Sequence, residues 1–419
     1  MQFRTILNQA CKLPGFVYGK VRLLSDDKGR SRLEVEVRPR RRSRPLCSGC
    51  GLPGPGYDRL RPRRFRFVPV LGLPVFFVYA MRRVNCGWCG QVKVEQVPWA
   101  DGKRPVTKAF SRMLASWARR LCWKETAAAF HVSWDCVCRA VAMAVAWGRA
   151  RVDLEGIRTI GVDEIAWQRG HTYLTLVYQV DAGCRRLLWV GQQRKTETLE
   201  SFFDWFGKRR SERLRVVCSD MWKPYLQVAA RRAGNAVRVL DRFHIMQKLG
   251  QAIDKVRAAE ARELKAQGRE PVLKRTRWLL LKWPGNLTGK QLPRLAELVR
   301  LNLRTVRAYL LKEEFRQFFD CRSPTRARKF LRRWRRRALR SRIQPMARFA
   351  ETLQRHRPLI LNWFRTGRCH SSGAVEGLNL KAKLALRKAY GFRSYKAYEL
   401  ALYHTLAKLP ESDLAHRCC

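Results

Sequence analysis

The chain has 419 residues, of which 87 are Lys or Arg and only 33 are Asp or Glu, giving a formal net charge of +54. Apolar residues make up 46% of the chain, which excludes global disorder and is enough to build the cores of about two or three domains. Ribosomal proteins and cationic membrane binders share this charge, but they rarely have this length or 14 Trp and 14 Cys. The composition therefore predicts nucleic acid as the polyanionic partner.

The beginning of the chain contains no apolar segment as long as that of a signal peptide. The longest apolar run, residues 68–81, has 14 residues and is interrupted by Pro and Gly, whereas a membrane-spanning helix takes about 20 residues. These features predict an intracellular, cytoplasmic protein, in which thiols stay reduced. Its paired cysteines are then expected to bind metal in preference to forming disulfides.

Residues 1–100 are predicted to form a β-rich module with two Cys-x-x-Cys pairs. The string "CSGCG" contains Cys47 and Cys50, and "CGWCG" contains Cys86 and Cys89. In each pair two thiolates can reach one metal ion, and the glycine that follows permits the tight turn. The pattern predicts a structural zinc site with four cysteine ligands, closed to chemistry. The alternatives are four unliganded core cysteines or, less favoured because no βαβ unit follows, a redox pair.

Residues 103–150 are predicted to be a helical DNA-binding domain. The string "KETAAAFHVSWDCVCRAVAMAV" fits two short helices around "HVS", as in a helix-turn-helix. Ser133 is expected to cap the second helix. Ser133, Trp134 and Arg139 are predicted to contact DNA, with Trp134, Asp135 and Arg139 facing a major groove. The alternative is an ordinary helical hairpin.

Residues 156–243 alternate apolar strand-like runs with helical stretches, which is the pattern of a mixed α/β sheet domain. Asp163 lies in one apolar strand, and Asp220 directly follows another. A buried carboxylate is costly unless it is paired or bound to metal. Two aspartates at strand ends, with one further acid, can hold two Mg²⁺ ions for phosphodiester chemistry. A cap or a salt bridge is the alternative role, and Glu164 and Asp181 are rival candidates for the first position.

Residues 244–365 are predicted to be helical. The densest run of positive charge, residues 328–342, carries apolar residues at helical spacing and so predicts an amphipathic basic helix. Three of its basic side chains are predicted to contact DNA phosphates: Arg332, Arg335 and Arg336. The alternative is a basic face that is merely solvated.

Residues 366–410 are predicted to be C-terminal helices that complete the catalytic core. At about 100° per residue, Glu376, Asn379, Lys383 and Arg387 fall along one stripe of a helix. Glu376 can bind metal there, Lys383 and Arg387 are predicted to hold the phosphate backbone of DNA, and Asn379 is also predicted to contact DNA. The alternative for Glu376 is an N-terminal acid that only complements the helix dipole.

The string "SSGAVEGLNLKAKLALRKAYGFRSYKAYELALYH" resembles the terminal signature of the ISL3 family of bacterial insertion-sequence transposases, which are Asp-Asp-Glu (DDE) enzymes. The two Cys-x-x-Cys pairs resemble the zinc-finger knuckles of that family, and residues 107–148 resemble its helix-turn-helix. "GVDEIAWQRGHTYLTLVYQVD", "VCSDMWKPY" and "LDRFHIMQKLGQAIDKVR" resemble its catalytic core. One departure is Ser372-Gly373, where the family usually has Asn-Gly.

The resemblance implies a multi-domain α/β protein. An RNase H-like catalytic core with a helical insertion would follow the zinc finger and the helix-turn-helix. The implied catalytic and metal-binding triad is Asp163, Asp220 and Glu376. Asp241, Arg242 and His244 follow a core strand and are expected to support the site without binding metal.

The implied reaction is Mg²⁺-dependent cleavage at the terminal inverted repeats of an insertion sequence, followed by attack of the freed 3′-OH on target DNA. Two Mg²⁺ or Mn²⁺ ions and a structural Zn²⁺ would be the cofactors. Double-stranded DNA would be the partner of a homo-oligomer in the bacterial cytoplasm, associated with the nucleoid. A DNA-binding regulator without catalysis and an RNase H-like structure-specific nuclease are the alternative functions.

Overall fold

A computed structural model describes residues 3–27, 29–168, 170, 172–367 and 373–412. The chain divides into two units, one made of residues 1–152 and 387–419 and the other of residues 153–386. Both strands and helices are present in each unit, so the predicted mixed α/β composition is confirmed.

The first unit begins with a β-rich region. Its elements are α1 (Phe3–Ala10), β1 (Phe16–Ser25), β2 (Ser31–Pro39), β3 (Gly56–Arg59), β4 (Arg63–Val70), β5 (Leu73–Tyr79), β6 (Arg82–Cys86) and β7 (Gln91–Val94). One sheet has the order β1-β2-β5-β4, and a smaller one has the order β3-β6-β7. Alternation of buried and outward residues along β4 and β5 explains why the larger sheet forms, since it buries an aromatic core on one face.

A buried ion pair lies at the junction of the two sheets. The guanidinium of Arg82, at the start of β6, lies 2.8 Å from the carboxylate of Glu95, just after β7. The hydroxyl of Tyr79, at the end of β5, donates to the same carboxylate. Because a buried charge is tolerated only when it is paired and hydrogen-bonded, this cluster holds the small sheet against the larger one.

Helices make up the rest of the first unit: α2 (Lys108–Arg120), α3 (Trp123–Ala129), α4 (Trp134–Arg149) and α16 (Tyr395–Leu406). After α3, His131 has a φ of 50°, the left-handed conformation that often ends a helix. Ser133 then accepts a hydrogen bond from the Cys136 N–H, so the predicted cap of the second helix is confirmed. Arg66 of β4 donates to the carbonyl of Phe130, which fixes the turn before α4 to the larger sheet.

Within the described ranges, no single helix is both long and apolar enough to cross a membrane. Taken together, α3 and α4 meet the same test by length and composition alone, with a bend of 114° between them.

The second unit contains one sheet and many helices. Its strands are β8 (Thr159–Gln168), β9 (Thr172–Asp181), β10 (Cys184–Gln192), β11 (Val216–Ser219) and β12 (Val237–Leu240). Its helices are α5 (Thr196–Phe206), α6 (Lys208–Glu212), α7 (Lys223–Arg232), α8 (Arg242–Ala266), α9 (Arg277–Leu281), α10 (Gln291–Arg300), α11 (Arg304–Arg316), α12 (Pro324–Arg340), α13 (Gln344–Arg355) and α14 (Arg357–Arg365). Helix α15 (Gly373–Lys388) begins in this unit and its last residues belong to the first.

The five-stranded sheet has the order β10-β9-β8-β11-β12. Its first three strands are antiparallel neighbours, and β8, β11 and β12 run parallel. Ile160 and Val162 of β8 belong to the core shared with α5 and α7. Because side chains alternate along a strand, Gly161 faces the opposite side, where Val375 of α15 lies against it.

The helices from α8 to α14 share one apolar core with β11 and β12. Trp334 of α12 is fully buried at its centre, and its indole N–H donates to the carbonyl of Leu311 at 2.8 Å. The predicted amphipathic basic helix is therefore confirmed, with an apolar stripe that anchors it. Of the predicted C-terminal segment, α15 packs on the sheet through Val375, whereas α16 packs on α4.

Replacement of Gly161 by Ala is expected to displace α15. A Cβ atom at this position would lie 2.5 Å from Cγ2 of Val375, and a β-branched side chain has little freedom to move away. Overpacking of this kind costs about 1–3 kcal/mol, measurable as a lower urea midpoint.

Gly183, in the turn before β10, is the matched control because a Cβ atom there meets nothing within 4 Å. Combining Gly161→Ala with Val375→Ala should recover part of the loss, since the clashing methyl groups are gone. Equal stability of Gly161→Ala and Gly183→Ala proteins would contradict the close approach of α15.

Candidate functional site

Three acids lie just beyond the paired part of the parallel strands: Asp163 within β8, Asp220 after β11 and Asp241 after β12. Gly161 of β8 is level with Cys218 of β11, and continuing this register by two residues brings Asp163 level with Asp220. Ser219 is level with Leu240, so Asp241 after β12 is level with Asp220 in turn. Adjacent strands are about 4.8 Å apart, so the sheet gathers these carboxylates along one edge.

Asp163 is held from the side of α15. One of its carboxylate oxygens accepts from the Asn379 side-chain amide, and the other accepts from the Glu164 backbone N–H at 2.8 Å. Nε2 of His244 lies 3.5 Å from that second oxygen. The side chain is thus mostly buried and fixed by three partners.

The hydrogen bond between Asn379 and Asp163 ties α15, the helix that carries Glu376, to the sheet. Asn379 is only 6% exposed, donates to Asp163 and accepts from the Tyr178 hydroxyl at 2.7 Å. Its predicted contact with DNA is therefore wrong, because both ends of its amide are occupied inside the protein. Glu376 lies one turn before Asn379 on α15 and is exposed, so it is on the helix that contacts Asp163.

Asp220 has partners at both oxygens. Oδ1 accepts from the backbone N–H of Trp222 at 2.8 Å, and Oδ2 accepts from the Arg194 guanidinium at 2.9 Å. Nε of Arg194 also lies 2.8 Å from Oε1 of Glu164. Arg194 Nε and Glu164 Oε1 have no aligned hydrogen-bond partner within the described ranges, so this contact is an ion pair and not a hydrogen bond. Arg194 therefore bridges the two acids.

The rival acids have other roles in the structure. Glu164 points to the α7 side of the sheet, opposite to Asp163, because the two residues are adjacent in one strand. Asp181 lies beside the opposite end of β8, where its carboxylate accepts from the backbone N–H of Arg158 and from the Gln179 amide. Asp241 caps α8 by accepting from the Phe243 N–H at 2.6 Å.

Burial and neighbouring charges shift the pKa values of two groups in this site. Burial, together with the charge of Asp220, raises the pKa of Glu164 to about 7. Burial opposes a charge on His244, but the hydrogen bond and charge of Asp163, with the charge of Asp241, outweigh it and raise the pKa of His244 to about 9. Arg242, by contrast, lies over the ring of Phe319, with its central carbon 4.7 Å from the ring centre.

Sequence reasoning missed Arg194 altogether. It lies two residues after β10 and has no motif around it, and its charge carries no signal in a chain of 87 Lys and Arg residues. The approach of its guanidinium to two acids from distant segments is visible only in the folded chain.

The four paired cysteines come together in the first unit. All four sulfur atoms lie within 4.8 Å of one another, the only such group of potential metal ligands in the described ranges. The sulfur–sulfur distance is 3.5 Å for Cys50 and Cys86 and 3.9 Å for Cys47 and Cys89. A zinc ion with about 2.3 Å bonds to four tetrahedral sulfurs would place them about 3.8 Å apart. The cluster therefore fits zinc.

Backbone groups also favour thiolates in this cluster. The N–H groups of Cys50 and Gly49 lower the pKa of Cys47 to about 6, and the Cys89 N–H donates to Cys86. Hydrogen bonding to Cys50, with burial, raises the pKa of Cys89 to about 12. Four thiols this close cannot all ionise without a cation among them, which is what a zinc site supplies.

The exposed start of α4 carries the side chains that were predicted to contact DNA. Ser133 uses its hydroxyl to cap the helix. Trp134 is half exposed, with its ring 5.4 Å from that of Trp123. Arg139 is exposed and lies 2.7 Å from Asp135, one turn earlier.

The basic side chains on α12 and α15 differ in exposure. Arg332 and Arg336 are exposed, as are Lys383 and Arg387 of α15. Arg335 is half-buried, and its Nε atom is buried without a hydrogen-bond partner among the described residues. Its predicted phosphate contact is thus less accessible than those of its neighbours.

Comparison with known proteins places the chain among transposases. Residues 160–402, which include the five-stranded sheet and all three acids of the predicted triad, match the model of a family described as transposase, the ISL3-type DDE transposases. The transposase for insertion sequence element IS1001 of Bordetella parapertussis is 28% identical over 382 residues, covering 90% of this chain and 92% of the relative. The transposase for insertion sequence element IS1557 of Mycobacterium tuberculosis is 32% identical over 408 residues, covering 91% of this chain and 90% of the relative.

These matches define a class, the transposases of insertion sequences. Within it, the chain belongs to the ISL3 family, so the family predicted from the sequence is confirmed.

Proposed function

We propose that this protein binds the terminal inverted repeats of an insertion sequence, cleaves the DNA there and joins the freed 3′ ends to target DNA. The observation that carries the proposal is the convergence of Asp163 and Asp220 on one sheet edge, with Asn379 connecting Asp163 to the helix of Glu376. No protein nucleophile is needed, because water attacks first and the DNA hydroxyl second.

The sheet supports an RNase H-like assignment for the catalytic core. Three antiparallel strands are followed by two parallel ones, and acids lie within β8 and directly after β11 and β12. The helices from α8 to α14 then lie between the second and third acids of the proposed triad, as a helical insertion would.

The carboxylates fit hard divalent cations, since their oxygens are the ligands that Mg²⁺ and Mn²⁺ prefer and since both aspartates are mostly buried. Asp163, Asp220 and Glu376 would hold two such ions, which supply activation of the attacking oxygen and stabilisation of the leaving oxygen. Asn379 and His244 keep the Asp163 carboxylate in one orientation. Lys383, two turns after Glu376, is free to bind a DNA phosphate.

Recognition of the DNA ends is assigned to α3 and α4 as a helix-turn-helix. The 114° bend between the two helices and the short turn 130–133 match that motif, whose helices meet at about 90–120°. The exposed residues at the start of α4, above all Arg139, would then reach base edges in the major groove. Two DNA ends must be held together for joining, so at least two copies of the chain would act on DNA.

The direct test is to incubate the protein with Mg²⁺ and labelled DNA that carries the ends of its own element. We expect nicks at the ends and products joined to a second DNA. Free 3′ ends without joining would indicate a structure-specific nuclease, and binding without cleavage in Mg²⁺ or Mn²⁺ would indicate a regulator. Either of these outcomes would overturn the proposed function.

Neutralising Arg332 and Arg336 together, by Arg→Gln, is expected to flatten the salt dependence of DNA binding. Each lost phosphate contact reduces the slope of log K against log salt by about one unit, because fewer counterions are released. Binding titrations at several salt concentrations measure this slope.

Arg337→Gln is the matched control on the same helix, since Arg337 already lies 2.8 Å from Glu314 and is expected to change the slope little. If the Arg332/Arg336 variant keeps the wild-type slope, this face of α12 is only solvated.

A further inference from the structure

Arg194 contacts the site, but neither the motif nor the proposed reaction accounts for it. It follows β10, and its guanidinium contacts Asp220 at 2.9 Å and Glu164 at 2.8 Å. One cation thus serves two carboxylates from different strands, at the edge where Asp163 and Asp220 meet.

The guanidinium is held by more than these two acids. Its central carbon lies 4.6 Å from the centre of the Trp222 ring, a cation–π contact that does not involve Asp220. Trp222 in turn packs edge-on against Tyr225, with their ring centres 4.5 Å apart. Loss of the contact with Asp220 would therefore leave Arg194 with two other partners.

Glu164 gives Arg194 an anchor outside the proposed metal set. Glu164 projects from the α7 side of the sheet, whereas Asp163 faces α15. The hydroxyl of Tyr225, which lies on that α7 side, is hydrogen-bonded to Thr175, the strand partner of Glu164. Glu164 thus holds Arg194 from the α7 side of the sheet, while Asp163 lies on the other side.

We propose that Arg194 is the resident counter-cation of Asp220 and sets the affinity of the site for divalent metal. In the metal-free protein its single positive charge is shared between Asp220 and Glu164. When Asp220 takes up metal, Glu164 and Trp222 keep the guanidinium beside the site. Arg194 is therefore a positioning residue, and Glu164 is its anchor and not a ligand. This inference rests on the proposed metal site.

The test is a titration of the whole protein with Mn²⁺, in which electron paramagnetic resonance measures the concentration of free Mn²⁺. Arg194→Gln removes the charge that competes with the metal, so its Kd for Mn²⁺ should fall about tenfold, as expected for one unit charge several ångströms from a divalent ion in a water-like dielectric. Arg194→Lys keeps the charge and should have a Kd near that of the wild type.

Thermal unfolding provides the second measurement. Without metal, Arg194→Gln should unfold at a lower temperature than the wild type, because Asp220 and Glu164 lose their cation. Saturating Mn²⁺ should raise its Tm by more than it raises the wild-type Tm. Arg186→Gln is the matched control, because Arg186 lies on the same sheet but is hydrogen-bonded to Gln179. It should change neither the Kd for Mn²⁺ nor the rise in Tm that Mn²⁺ causes.

The outcomes separate the two proposals. An unchanged or weaker Mn²⁺ affinity in Arg194→Gln, with wild-type binding that is lost in Asp220→Asn, overturns the role of Arg194 and leaves the metal site in place. Wild-type protein that binds Mn²⁺ no better than Asp220→Asn overturns the metal site and this inference together.

Discussion

Replacing Asp220 by Asn is expected to reduce DNA cleavage by about 10³-fold or more while DNA binding is retained. Asn has the same shape and can still accept from the Trp222 N–H through its side-chain oxygen. What it loses is the negative charge that a metal-stabilised transition state requires, and electrostatic terms of this kind are among the largest in catalysis. Gel assays of end cleavage and of binding, on the same DNA, measure the two effects separately.

Asp241→Asn is the matched control for this prediction. Asp241 is level with Asp220 on the adjacent strand, but its carboxylate caps α8, a role that Asn performs equally well. We expect it to lower cleavage by less than tenfold. Asp181→Asn, at the far end of β8, should leave cleavage unchanged. Wild-type cleavage by Asp220→Asn, or equal losses in Asp220→Asn and Asp241→Asn, would contradict the proposed triad.

Replacing Cys86 by Ser is expected to remove bound zinc and unfold the small sheet of the first unit. The buried apolar core there consists of Cys47, Val84 and Cys86, so little else holds β3, β6 and β7 together. Structural zinc contributes about 10–16 kcal/mol of apparent binding free energy in isolated finger peptides, far more than this core can supply. Zinc content by elemental analysis should fall from one ion per chain to none.

Hydrogen exchange should show which strands unfold when zinc is lost. Amides of β3, β6 and β7 should lose protection in Cys86→Ser, whereas those of the five-stranded sheet should keep it. Cys11→Ser is the control, because Cys11 lies in the same region of the chain but outside the four-sulfur cluster. It should retain one zinc ion and normal exchange. Retained zinc in Cys86→Ser would show that the four cysteines do not act as one site.

Local patterns predicted much of this protein. The two Cys-x-x-Cys pairs predicted their cluster because each pair is positioned by its own tight turn, and only the meeting of the two pairs depends on the fold. The cap of α4 by Ser133 and the apolar stripe of α12 were likewise predicted from spacing within one helix. Such features depend only on residues that are close together in the chain, so they can be predicted from the sequence.

The stripe of α15 shows where this reasoning fails. Glu376 and Asn379 share a helix face in the sequence, and Asn379 was expected to bind DNA with it. In the fold, Asn379 turns inward to Asp163 and Tyr178, while Glu376 is exposed. Helical spacing gives the angle between two side chains but not the direction in which the helix is docked. That direction is set by Gly161, which lets Val375 approach the sheet.

The sequence by itself determined the family, the elements and the acids that follow the apolar strands, because these depend on composition and short spacing. Only the tertiary structure decided which acids are level with one another and which cations they share. Asp163 and Asp220 are level because β8 and β11 are adjacent and parallel, and Arg194 reaches Asp220 and Glu164 from a third strand end. In a chain with a net charge of +54, the position of one cation between two carboxylates is a property of packing, which brings together residues that are far apart in sequence.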